Sequence, residues 1–171
     1  MLHDAMTRLP AALLPIFLAA TALPAAAQLR QQPDLTLVAA NRLALGAIDA
    51  CRRQGRDIVV AVLDRGGNLV ALQRADSVGP HNIEAARRKA YTAMSTRSST
   101  LELARKAAAD ADARNLATLP ELLLLGGGLP LRAQGQPVGA IGVAGGGGAV
   151  NDDACARAAM AAVPELDRPV D

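Results

Sequence analysis

Aromatic side chains are almost missing: the 171 residues hold no tryptophan, one tyrosine and one phenylalanine. Phe17 falls in an N-terminal apolar run, so Tyr91 is the only ring left to the rest of the chain. Proteins that grip single strands or read RNA on a sheet stack bases on aromatic platforms, and none can be assembled here. Charge of one sign is also scarce. Lys and Arg number 18 against 16 Asp and Glu, a net charge of +2, which supplies no broad basic field for a phosphate backbone. Nucleic acid is therefore excluded as a partner. The two cysteines, Cys51 and Cys155, form no CxxC pair, and the two histidines, His3 and His81, are too few to complete a zinc site. Glycine is abundant but wrongly spaced for a dinucleotide. In Gly145-Gly-Gly147-Gly-Ala-Val150, valine stands where the third glycine of Gly-x-Gly-x-x-Gly belongs, and no Walker lysine follows. No serine sits in a recognisable nucleophile motif with the one remaining histidine.

What is present begins at the N-terminus. Arg8 precedes an apolar run over residues 9–27, which ends with Ala25 and Ala27 at the −3 and −1 positions of a cleavage site. These are the parts of a secretory signal. Met6-Thr7-Arg8 offers an alternative, cleaner basic start. No twin arginine is present, which favours a Sec-type signal, and no cysteine at the cut marks a lipoprotein. An uncleaved anchor is the rival reading, but Pro10, Pro15 and Pro24 interrupt the run. The expectation is a signal peptide over residues 1–27 and a polar leader over 28–34. A single domain follows over 35–171, placed in the periplasm or secreted, with no membrane insertion after cleavage.

Thr36 is a candidate N-cap for a helix whose apolar positions include Leu37, Ala40, Ala44, Ala47, Ile48 and Cys51, with Gly55 as its stop. Residues 58–63 are a β-branched run without polar alternation, as in a strand buried on both faces. Asp64-Arg65-Gly66-Gly67-Asn68 reads as a turn into a second strand over 69–74. A helix is expected over 81–94, and Ser99 with Glu102 forms a capping-box pattern opening another helix to about Ala113. The apolar residues 122–125 are a further strand candidate, followed by strands over 129–132 and 138–144. Asn151 is a candidate N-cap for an alanine-rich last helix to about Val163. Hairpins separated by grouped helices predict an α+β fold, with an antiparallel sheet of about five strands flanked by helices.

Three ordered blocks carry a family resemblance. They are Ala61-Val-Leu-Asp64-Arg-Gly66-Gly67-Asn-Leu-Val-Ala-Leu-Gln-Arg74-Ala-Asp76, then Lys89-Ala-Tyr91-Thr92-Ala. The third is Gly126-Gly-Gly128-Leu-Pro130 with Gly135-Gln-Pro-Val-Gly139-Ala-Ile-Gly142-Val-Ala-Gly145, followed by Asp152 or Asp153. The chain resembles the GlcG/HbpS family, which includes the C-terminal domain of PduO-type adenosyltransferases, over residues 35–163. The resemblance implies a profilin-like α/β/α fold, homo-oligomers, and binding of haem or of another tetrapyrrole or corrinoid, for storage, transport or sensing. A small-molecule enzyme using Asp64, Lys89 or His81 in the same pocket is one alternative. An accessory subunit without a ligand is another.

His81 is a candidate haem-iron ligand, with a plain surface histidine as the other reading. Tyr91 and Thr92 are further ligand candidates on the same helix, and Met94 is read mainly as core. Arg74 or Lys89 would meet an anionic group, or form an ion pair fixing the hairpin to the central helix. Gly145 and Gly146, before the last helix, either present backbone N–H groups to a propionate or only turn a corner. Arg87-Arg88-Lys89 reads as a solvated or subunit-facing charge run. Cys51 and Cys155 lie one in each terminal helix and are candidates for a disulfide.

Overall fold

The computed structural model describes residues 31–168, so the expected signal peptide over residues 1–27 lies outside the described residues. Helix α1 (Leu37–Arg52) starts where Thr36 Oγ1 accepts the Ala39 N–H at 3.2 Å. Strands β1 (Val59–Asp64) and β2 (Leu69–Arg74) form the first hairpin. Helices α2 (His81–Thr96), α3 (Thr100–Ala109) and the short α4 (Ala111–Arg114) follow. Strands β3 (Gly128–Ala133) and β4 (Gln136–Ala144) form the second hairpin, and α5 (Ala149–Ala159) closes the order. Every pairing is antiparallel, and the sheet runs β2-β1-β4-β3.

The central strands are buried on both faces, and the alternation of β1 separates two layers. Val60 and Val62 face α1 and α5, where Leu43, Ile48, Ile141 and Val143 join the main apolar core. Val59, Ala61 and Leu63 face α2 and meet Ala86, Ala90 and Ala93. The α2 seam is unusually tight because it uses residues without bulk. A Cβ on Gly142 would run into the Ala86 carbonyl oxygen, and one on Gly128 into the Lys89 carbonyl oxygen. Glycine is required at both positions so that the helix backbone can rest on the strands.

Three local expectations are corrected. Among the described residues the sheet has four strands, because residues 122–125 pair with none of them. Their backbone groups go to local turns and to side chains instead. Leu122 and Leu125 N–H donate to the Leu119 and Leu123 carbonyls. Leu123 N–H donates to Thr92 Oγ1, the Leu122 carbonyl accepts from Arg88, and the Leu125 carbonyl accepts from Thr100. Helix α3, capped by Ser99 on the Leu101 N–H, stops at Ala109 and does not reach Ala113. Asp110 is extended there, and its carboxylate caps α4 at the Asp112 N–H. The N-cap of α5 is Gly148, not Asn151, which lies in the first turn and donates to the Gly147 carbonyl.

Candidate functional site

Lys89 projects from the sheet-facing side of α2 and is almost fully buried. Its Nζ donates to Asp152 Oδ2 at 2.7 Å and to the Val143 carbonyl at 3.0 Å. The other oxygen of Asp152 accepts the Gly146 N–H, also at 2.7 Å. Gly127 opens the way, since a Cβ there would press on Asp152 and on Lys89 Nζ. Two residues expected to meet a ligand, Lys89 and Gly146, are thus brought together by a carboxylate of the chain itself. The ion pair ties the central helix to the last helix; the expected link from helix to hairpin is not formed. Arg74 is exposed at the end of β2 and takes no part.

The glycine loop is backed by the Cys51–Cys155 disulfide, which joins α1 to α5. Cys51 Sγ lies within van der Waals range of the position a Gly146 Cβ would take. Gly145 is exposed, with φ +107°. Asp153, the next residue along α5, is buried and accepts from Ser99 and from Arg157 Nε.

The ligand candidates on α2 separate along the helix. His81 is exposed at its first residue, roughly 15 Å of helical rise from Tyr91, so the two cannot share one iron from the same side. Thr92 Oγ1 donates to the Arg88 carbonyl and accepts from Leu123, both at 2.8 Å, so its hydroxyl is spent on the fold. Asp64, Lys89 and His81 do not meet in one pocket. Asp64 turns the β1–β2 loop by accepting from the Asn68 backbone and side chain. Burial tends to raise its carboxyl, but the Asn68, Gly66 and Gly67 hydrogen bonds together hold it below the usual range.

Tyr91 is half-buried, its ring beside Gly67, and it lines a cleft of about 420 Å3 with Glu84, Arg87, Arg88, Pro120 and Glu121. Arg87 makes a two-point contact with Glu84 at 2.9 and 2.7 Å. Those hydrogen bonds hold the Glu84 carboxyl below its usual range. Arg88 Nη2 donates to the Pro120 and Leu122 carbonyls, while its Nε is buried without a partner. The charge run of the sequence therefore splits three ways: Arg87 to solvent, Arg88 to the loop wall and Lys89 to the interior. Asp152 as the lysine's partner and Arg88 as a cleft residue were not identified in the sequence. The only signal for either was the helical period, which puts Arg88 and Lys89 on different faces. Among the described residues no cluster of three metal-binding side chains occurs, and no helix is long and apolar enough to cross a membrane.

Comparison with known proteins aligns nearly the whole described region. The sequence model of a family described as "Haem degrading protein HbpS-like" matches residues 35–161. An uncharacterised 15.0 kDa protein from the dhaT–dhaS intergenic region of Citrobacter freundii is 32% identical over 119 residues, covering 68% of this chain and 84% of that protein. A crystal structure of HbpS superposes with a TM-score of 0.74 at 43% identity, covering 80% of this chain and 94% of that one. A haem complex of PduOC shares the fold, with a TM-score of 0.71 at 23% identity over 80% of this chain and 99% of that one.

Proposed function

Because the chain belongs to the HbpS-like family, we propose that it binds haem, in the cleft that Tyr91 lines. The observation that carries the reading is that Tyr91, a side chain able to ligate haem iron as its phenolate, is half-buried in a cavity that Arg87 and Arg88 line with Glu84 and Glu121. Arg88 Nε supports the fit: it is a buried donor with no acceptor, the kind of group a bound ligand satisfies. Tyr91 would hold the iron, and Arg87 would exchange its contact with Glu84 for a propionate, beside Arg88. Haem bound there would supply redox and ligand-binding chemistry at its iron. The relatives point to the same ligand: the family is described as haem degrading, and PduOC forms a crystalline complex with haem.

The protein works outside the cytoplasm, in the periplasm or secreted, as a homo-oligomer that stores, carries or senses the tetrapyrrole. The expected signal over residues 1–27 supports export. So does the disulfide, since such bonds persist mainly in oxidising compartments. A corrinoid is the alternative ligand.

Titration of residues 28–171 with hemin should give a saturable, shifted Soret band. Tyr91→Phe should move that band and weaken binding by about tenfold or more, whereas His81→Ala should leave it in place. An unchanged hemin spectrum in the wild type would remove the reading, and the reverse ranking of the two variants would move the iron to His81. Aquocobalamin titrated in parallel tests the corrinoid. Ascorbate added in air separates holding haem from degrading it, by whether the band bleaches faster than that of free hemin.

A further inference from the structure

A second cleft, of about 460 Å3, opens between the turn after α2, the start of α3, the edge strand β3 and the chain beyond α5. It shares no lining residue with the Tyr91 cleft. Pro130 and the edge of Met160 give it apolar surface over the buried Leu129, and four arginines stand around it: Arg97, Arg132, Arg157 and Arg168. Two carboxylates also line it, but both are engaged. Asp167 accepts the Gln134 and Gly135 N–H groups at 3.0 and 2.7 Å, and Glu102 faces Arg157 at 3.9 Å. Arg157 is further held by Asp153. Arg97, Arg132 and Arg168 have no carboxylate partner among the described residues. The cleft therefore keeps an excess of positive charge over an apolar floor.

The backbone adds an independent observation. Arg97 caps α2 in the left-handed region, at φ 56° and ψ 26°. Glycine or asparagine takes that conformation at less cost. The chain accepts a strained residue there, and that residue is an exposed arginine lining the cleft. A neighbouring recess shares Arg97, Pro130 and Arg132 and reaches Arg65 across the end of the sheet. Pro130 brings no N–H to this edge strand, which works against pairing with a further strand.

We propose that this cleft binds a small organic acid, with its carboxylate on Arg97 and Arg132 and its aliphatic part on Pro130 and the edge of Met160. The planar guanidinium fork matches a carboxylate, and the apolar surface favours an acid with a hydrocarbon body over a bare inorganic anion. The inference is independent of haem binding at Tyr91.

The test uses octanoate, acetate and inorganic phosphate as probes, followed through the Nε–Hε resonances of the arginines by NMR. Octanoate should shift Arg97 and Arg132 saturably and bind about tenfold or more tighter than acetate or phosphate. Arg97→Gly suits the left-handed backbone and should fold at least as well as the wild type, yet bind octanoate about fivefold or more weakly. Arg132→Gln should weaken it similarly. Octanoate binding no tighter than acetate or phosphate would overturn the proposal. So would full affinity in Arg97→Gly.

Discussion

On one face of the sheet, α1 and α5 lay Leu43, Ile48 and Ala156 against Val60, Val62 and Ile141, and a disulfide joins the two helices. On the other, α2 brings Ala86, Ala90 and Ala93 down onto Ala61, Ala140 and two glycines. The first face is stabilised by apolar volume and a covalent tie. The second buries little volume per residue, so it depends on close backbone approach and on the Lys89–Asp152 pair at its end. The difference shows where function has room. The outer side of α2 carries Tyr91, Arg87 and Arg88, and the turn after it carries Arg97, while the α1–α5 face is filled by packing except at its rim, where Arg157 and Met160 border the second cleft.

The comparison breaks most severely at the seam. Gly142→Ala places a methyl group against the α2 backbone, and thermal melting should show Tm lowered by more than about 10 °C or no cooperative transition. Lys89→Met comes next. It leaves Asp152 buried and unpaired, at a cost of about 3–5 kcal/mol in urea unfolding. Adding Asp152→Asn should recover part of that loss, which distinguishes an orphaned charge from simple misfit. The opposite face should respond less: Cys51→Ser with Cys155→Ser should lose about 2–4 kcal/mol without disturbing α2.

Acid should produce the smallest effect and sharpen the contrast. Asp64, at the β1–β2 turn, and Glu84, in the first turn of α2, have folded carboxyls below their ordinary values of 3.8 and 4.5. Their contribution is present above those values and is lost as pH falls through the lower folded values. Amide exchange measured from about pH 5 to about pH 3 should therefore rise at the β1–β2 turn and the first turn of α2 before it rises in α1 or α5. Uniform acceleration on both faces would contradict the comparison.

Much of this was legible in the sequence because its causes are local. Thr36 and Ser99 cap helices through N–H groups two or three residues away, and the Asp64-to-Asn68 turn is closed by its own ends. The strand candidate at 122–125 failed for a non-local reason. Its apolar pattern is compatible with a strand, but Thr92, Arg88 and Thr100, all earlier in the chain, take its backbone groups. The same limit hid the partner of Lys89. Asp152 lies 63 residues away, and no periodicity links a central helix to a terminal one. The Tyr91 cleft was only half visible, because its wall depends on where Pro120 and Glu121 fold back.

The Cys51–Cys155 bond also bears on how the chain is made. Synthesis proceeds from the N-terminus, so the first thiol emerges 104 residues before the second. No other cysteine exists for it to join in the meantime. Within one molecule, oxidation then has a single product and no shuffling among isomers. The one competing product is a bond between two chains, which becomes a hazard only where nascent copies are crowded. A small domain thus gains a covalent staple that needs no proofreading of its pairing, provided α5 has emerged before the staple closes.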